Sequence, residues 1–125
     1  MTKHDNVSQE GIIKATEFVK EHGWSEVKRI VACYPDHTHV TDDARMFINK
    51  NTCADNIRSQ LNEVIQICEL KRLVESHELV EFFGSLDDAI QIYEYSKDME
   101  ILSYGGREIP TKQLGQAIAD VEACQ

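Results

Sequence analysis

Apolar positions Ile12, Ala15, Phe18 and Val19 recur at helical spacing behind Ser8 and Glu10, and Gly23 supplies a natural stop for that helix. Val27, Ile30, Val31 and Tyr34 fall at i, i+3, i+4 and i+7, which predicts a second helix with Ser25 as its cap. A strand over 27–33 is the weaker alternative. Pro35 ends this helix, because the residue before a proline is pushed away from helical angles. Segments 37–41 and 44–48 then predict two short strands about an Asp42-Asp43 turn.

The second half follows the same order. Leu79 and Val80 precede Gly84 much as Phe18 and Val19 precede Gly23. Ser85, with Asp88 three residues on, carries a capping-box pattern for a helix through Ala89, Ile90, Ile92 and Tyr93. Segments 99–104 and 107–109 about Gly105-Gly106 predict the clearest hairpin in the chain. A last amphipathic helix starts at Thr111 and carries Leu114, Ala117, Ile118 and Val121. The expectation is therefore one small α+β domain containing an internal duplication, with repeat halves 8–50 and 69–110 and a C-terminal helix over 111–124.

The middle supports two readings. Ile57, Leu61, Val64, Ile65 and Cys68 have helical spacing, which favours a helix from Ala54 with a break near Cys68. The repeat logic predicts instead an extended 63–67 just before a helix over about 69–83.

A chain of 125 residues suits one domain, and 42% hydrophobic with 28% charged residues is the balance of a folded globular protein. Apolar runs reach three or four residues, far short of the roughly 20 needed to cross a bilayer. Residues 1–10 are polar and lack the apolar core of a signal peptide, so a cytoplasmic location and no membrane partner are expected. Cys33, Cys53, Cys68 and Cys124 match no zinc-ribbon or C-x-x-C spacing. Reduced thiols are expected, with Cys68 as a small core residue.

Charge changes the picture most. Net charge is −9, yet residues 1–72 hold 11 acidic and 10 basic side chains, whereas residues 73–125 hold 11 acidic and 3 basic. That is −1 against −8. Direct nucleic-acid binding is disfavoured, because phosphate contacts need Lys and Arg clusters. A protein partner with a basic surface suits this charge, and Glu81, Asp87, Asp88, Glu94, Asp98 and Glu100 are the candidate contacts. An acidic coat that serves solubility is the plainer alternative.

Other chemistry is thin. His37 and His39, on one face of a strand, form the one candidate metal site, with Asp36, Cys33 or the Asp42-Asp43 pair to complete it. Ordinary histidines on a polar strand near a turn are the plainer alternative. Asp42-Asp43 and Asp87-Asp88 suit a turn and a helix start better than acid–base work. His77 with Glu81 has the spacing of a surface helix pair. Trp24 serves as a hydrophobic anchor after Gly23, or as an exposed contact. Arg107 either meets a ligand beyond the Gly-Gly turn or neutralises Glu108. No phosphate-binding glycine loop, G-x-S-x-G or H-E-x-x-H occurs. No catalytic residue and no cofactor are therefore expected.

Segments 18–24 (Phe-Val-Lys-Glu-His-Gly-Trp) and 70–81 (Leu-Lys-Arg-Leu-Val-Glu-Ser-His-Glu-Leu-Val-Glu) resemble the small accessory proteins of bacteriophages and other mobile elements. The resemblance covers those stretches alone and transfers no functional residue. It implies a bacterial cytoplasmic product that acts on a host nucleic-acid-handling or defence complex by stoichiometric binding. The alternatives are a metal-binding module or enzyme centred on His37 and His39, and a self-associating protein whose hairpin edge pairs with its copy in another chain.

Overall fold

The computed structural model describes residues 3–125, with side chains from residue 11 onward except that of residue 62. The fold is α+β. Helices α1 (Lys3–His22) and α2 (Trp24–Cys33) precede strands β1 (His39–Val40) and β2 (Phe47–Ile48). A short helix α3 (Asp55–Arg58), a 3-10 turn (Leu61–Glu63) and strand β3 (Ile65–Gln66) follow. Then come α4 (Ile67–Phe82), α5 (Leu86–Ser96), hairpin strands β4 (Ile101–Tyr104) and β5 (Arg107–Pro110), and α6 (Thr111–Ala123). The backbone gathers into two compact units, Met1–Arg72 and Leu73–Gln125, so the boundary runs through α4.

In the first unit one residue both ends a helix and begins the next. Gly23 donates its N–H to Val19 O at 2.8 Å and accepts from Val27 N–H at 3.2 Å. Its φ of 88° lies where a side chain is disfavoured. Gly23, not Ser25, is therefore the cap of α2, and Ser25 falls inside the first turn. Helix α1 buries Ala15, Phe18 and Val19 and packs on α2 and β3. Helix α2 turns Val27 and Ile30 fully inward, and Trp24 is half-buried at its start. The sheet order is β2-β1-β3, all antiparallel, with His39 opposite both Ile48 and Gln66. Val40, Ile48 and Ile65 are its buried residues, beside Ile67 and Leu70 from the start of α4.

The expected helix from Ala54 is not what forms. Asp55–Arg58 makes one α-helical turn, Leu61–Glu63 a 3-10 turn, and the chain is extended again at Ile65–Gln66 before α4. The repeat logic gave the better account. A strand–strand ladder to β1, extended by an Ile67 N–H bond to Thr38 O at 2.9 Å, overrides weak helical periodicity in a polar stretch. Starting α4 at Ile67 also turns Ile67 and Leu70 inward and leaves Cys68 exposed, against the expectation that it is a core residue. Cys33 and Cys68 are exposed, Cys53 is half-buried and Cys124 is buried.

In the second unit Leu79, Val80, Phe83, Ala89, Leu102 and Ile109 form one apolar cluster with the inner face of α6. Ser85 caps α5 as its sequence predicts, accepting from Asp88 N–H at 3.2 Å. Gly105 and Gly106, at φ 57° and 84°, make the tight turn that joins β4 to β5. Helix, glycine turn, helix and paired strands thus follow one another in both units. Their strand pairings differ: β1 also takes β3, whereas among the described residues β4 and β5 pair with each other alone.

Candidate functional site

All six predicted contact carboxylates lie in the second unit, and all are exposed. Glu81, in the last turn of α4, stands 3.5 Å from His77 Nδ1, the helix pair its spacing predicts. Asp87 and Asp88 occupy the first turn of α5, where the helix dipole favours negative charge. Glu94 pairs with Lys97 at 2.8 Å and holds that lysine above its ordinary pKa. Asp87, Asp88, Asp98 and Glu100 form no ion pair among the described residues. Asp98 also acts on Lys97, while the charge of Asp87, Asp88 and Glu100 is left to act outward.

The same stretch carries an unusual set of apolar side chains. Tyr95 is 83% exposed, Met99 51% and Ile101 48%. Each directly follows an exposed carboxylate, in the pairs Glu94-Tyr95, Asp98-Met99 and Glu100-Ile101. For Tyr95 the cause lies in α5 itself: Ala89 and Ser96 are buried, with Ile92 and Tyr93 partly so, which turns Asp87, Asp88, Gln91, Glu94 and Tyr95 outward. Ile101 is exposed because its β4 neighbour Leu102 faces the core. Arg107 packs on an aromatic ring. Its guanidinium sits 4.7 Å over the Phe82 ring, beside Phe83 and Tyr104.

The first unit holds the predicted histidines. The strand begins only at His39, so His37 lies outside it. His37 packs edge-on against Tyr34 and Phe47, which stack on each other at 3.7 Å, and its buried Nδ1 has no hydrogen-bond partner. His39 is buried, with Nδ1 at 2.7 Å from Thr38 Oγ1. Both nevertheless line one cleft of about 400 Å³, together with Thr38, Lys50, Gln66 and Lys71. Among the described residues no three His, Cys, Asp or Glu gather as metal ligands. Asp36, Cys33, Asp42 and Asp43 are absent from the cleft lining.

No known family, curated protein or solved structure matches this chain.

The Asp42-Asp43 pair is turn architecture. Asp43 Oδ1 accepts from Thr41 Oγ1 at 2.6 Å and from Arg45 N–H at 3.1 Å. The Thr41 bond, then the Arg45 bond, hold its carboxyl below the usual range. The Asp42 carbonyl meets His22 Nε2 at 2.8 Å. Two features escape the sequence reading. Tyr95 could have been found from the helical wheel of α5, since its inward positions are already assigned. Lys50 and Lys71 could not, because strand pairing alone brings them to one cleft.

His39 gives a pH-dependent prediction. Burial, and then the nearby charge of Lys50, lower its pKa below the ordinary 6.5. The unfolded chain therefore takes up this proton more readily than the folded one. The stability that neutral His39 confers is complete above the unfolded value and is lost as pH falls from there through the lower folded value. Urea midpoints for wild type are expected to decline between pH 7.5 and 5.5, and His39→Asn is expected to flatten that slope. An identical slope in both proteins refutes the assignment.

Proposed function

We propose that the second unit docks onto a protein partner with a basic surface, through the face running from α5 into β4. The observation that carries this is the interleaving of exposed Glu94, Asp98 and Glu100 with exposed Tyr95, Met99 and Ile101. A coat that serves only solubility has no use for three exposed apolar side chains among its carboxylates. An interface does: charge steers the encounter and selects the partner, and an aromatic anchor supplies affinity. Asp87 and Asp88, about two turns earlier on α5, extend the negative field. Carboxylates so arrayed stand in for phosphates on a surface that ordinarily holds nucleic acid. This accords with the resemblance to mobile-element accessory proteins and with an inhibitor of a host nucleic-acid-handling complex.

The test is capture from bacterial lysate by wild type, the double reversal D87K/D88K, and Tyr95→Ala, with salt-gradient elution and mass spectrometry. One protein retained by wild type is expected to bind Tyr95→Ala about tenfold more weakly, in the range of an interface anchor. D87K/D88K is expected to weaken binding further and flatten its salt dependence. Equal retention by all three proteins would sink the proposal.

A further inference from the structure

The cleft of the first unit has chemistry opposite to that of the rest of the molecule. The chain carries 22 Asp and Glu residues, yet among the described residues none of them lines this cleft. Lys50 and Lys71 do, and neither makes an ion pair among the described residues. Lys50 follows β2, which pairs with β1, and Lys71 lies one turn into α4 on the side of Ile67. The ladder from β2 through β1 to β3 thus brings together two cations 21 positions apart in sequence.

Thr38, also in the lining, ties Lys50 to the strand. Its Oγ1 accepts from Lys50 N–H at 3.0 Å and lies 2.7 Å from His39 Nδ1 and 3.2 Å from Ile48 O. Thr38 Oγ1 donates to Ile48 O, and its contact with Nδ1 holds the His39 ring at the cleft. Gln66, opposite His39 in the ladder, adds an amide. Val31, Pro35 and Ile67 supply an apolar wall. A volume of about 400 Å³ is more than a bare oxyanion fills and falls within the range of small-molecule sites.

We propose that this cleft binds a small phosphate monoester, its phosphate held by Lys50 and Lys71 and its organic body laid on the Val31–Pro35 wall. Two lysines match a dianion, and a lysine acts on phosphate as a point charge without needing a fixed fork. The site is independent of the acidic face, and either proposal stands if the other fails.

Calorimetry on the full chain, with phenyl phosphate, benzoate and inorganic phosphate as probes, tests it. Phenyl phosphate is expected to bind more tightly than either other probe and to weaken with added salt. The double variant K50Q/K71Q is expected to reduce its affinity at least about tenfold. Both side chains are exposed, so the fold should persist, and circular dichroism checks this. Absence of heat from phenyl phosphate at millimolar concentration, or undiminished affinity in K50Q/K71Q, overturns the proposal. Benzoate binding as tightly as phenyl phosphate overturns the dianion. Inorganic phosphate binding as tightly removes the role of the apolar wall.

Discussion

Leu114→Ala is expected to lower the free energy of unfolding by about 2–5 kcal/mol, the range for a fully enclosed leucine. Leu114 is 0% exposed and lies one and two turns before Ala117, Ile118 and Val121 on the inner face of α6. It belongs to the same cluster as Leu102 and Ile109 of the hairpin, and as Leu79, Val80 and Phe83. Truncation forfeits its transfer free energy and leaves a cavity that close-packed neighbours fill only in part. Domains of this size have total stabilities of about 5–15 kcal/mol, so the loss takes a large share. Urea denaturation followed by far-UV circular dichroism measures it. Tyr95→Ala, at an 83% exposed position of the same unit, is the contrast, with a change within about 0.5 kcal/mol. A loss below about 1 kcal/mol for Leu114→Ala contradicts its enclosure.

Ser76→Ala is expected to cost about 1.5–3 kcal/mol, the range for a hydrogen bond to a charged group. Ser76 Oγ donates to Asp120 Oδ2 at 2.7 Å across 44 residues of sequence, and both residues are buried. Gln116 Nε2 holds the other carboxylate oxygen at 3.0 Å. The bond ties α4 to α6 within the second unit, and its loss deprives a buried carboxylate of a donor. Alanine's better helix propensity returns only about half a kilocalorie per mole. Gln116→Ala removes the longer bond at a less buried site and is expected to cost less. Should Ser76→Ala leave the unfolding midpoint unchanged, the bond carries no net stability.

What could be read from the sequence was local. Ser85 with Asp88, the stop at Gly23, the Gly105-Gly106 hairpin and the face of α6 depend on neighbours within a turn or two, and the structure places each as predicted. The stretch from Ala54 to Cys68 depends on a distant strand. Its helical spacing of apolar residues competed with the ladder to β1, and the ladder prevailed. The same nonlocality hid the cleft: His37 and His39 drew attention as metal ligands, while Lys50 and Lys71, which give the cleft its charge, carry no local signature. The six candidate carboxylates follow from charge distribution alone. Their alternation with Tyr95, Met99 and Ile101 needed the buried face of α5 to be known.

The boundary at Arg72 and Leu73 also divides the chromophores. Trp24, the single tryptophan, opens α2 in the first unit, whereas Tyr93, Tyr95 and Tyr104 all belong to the second. Emission excited at the red edge of tryptophan absorption therefore watches one unit alone, while difference absorption of the tyrosines is weighted three to one toward the other. The molecule carries its own pair of optical reporters, and occupancy of each face can be followed in its own band without attaching a label.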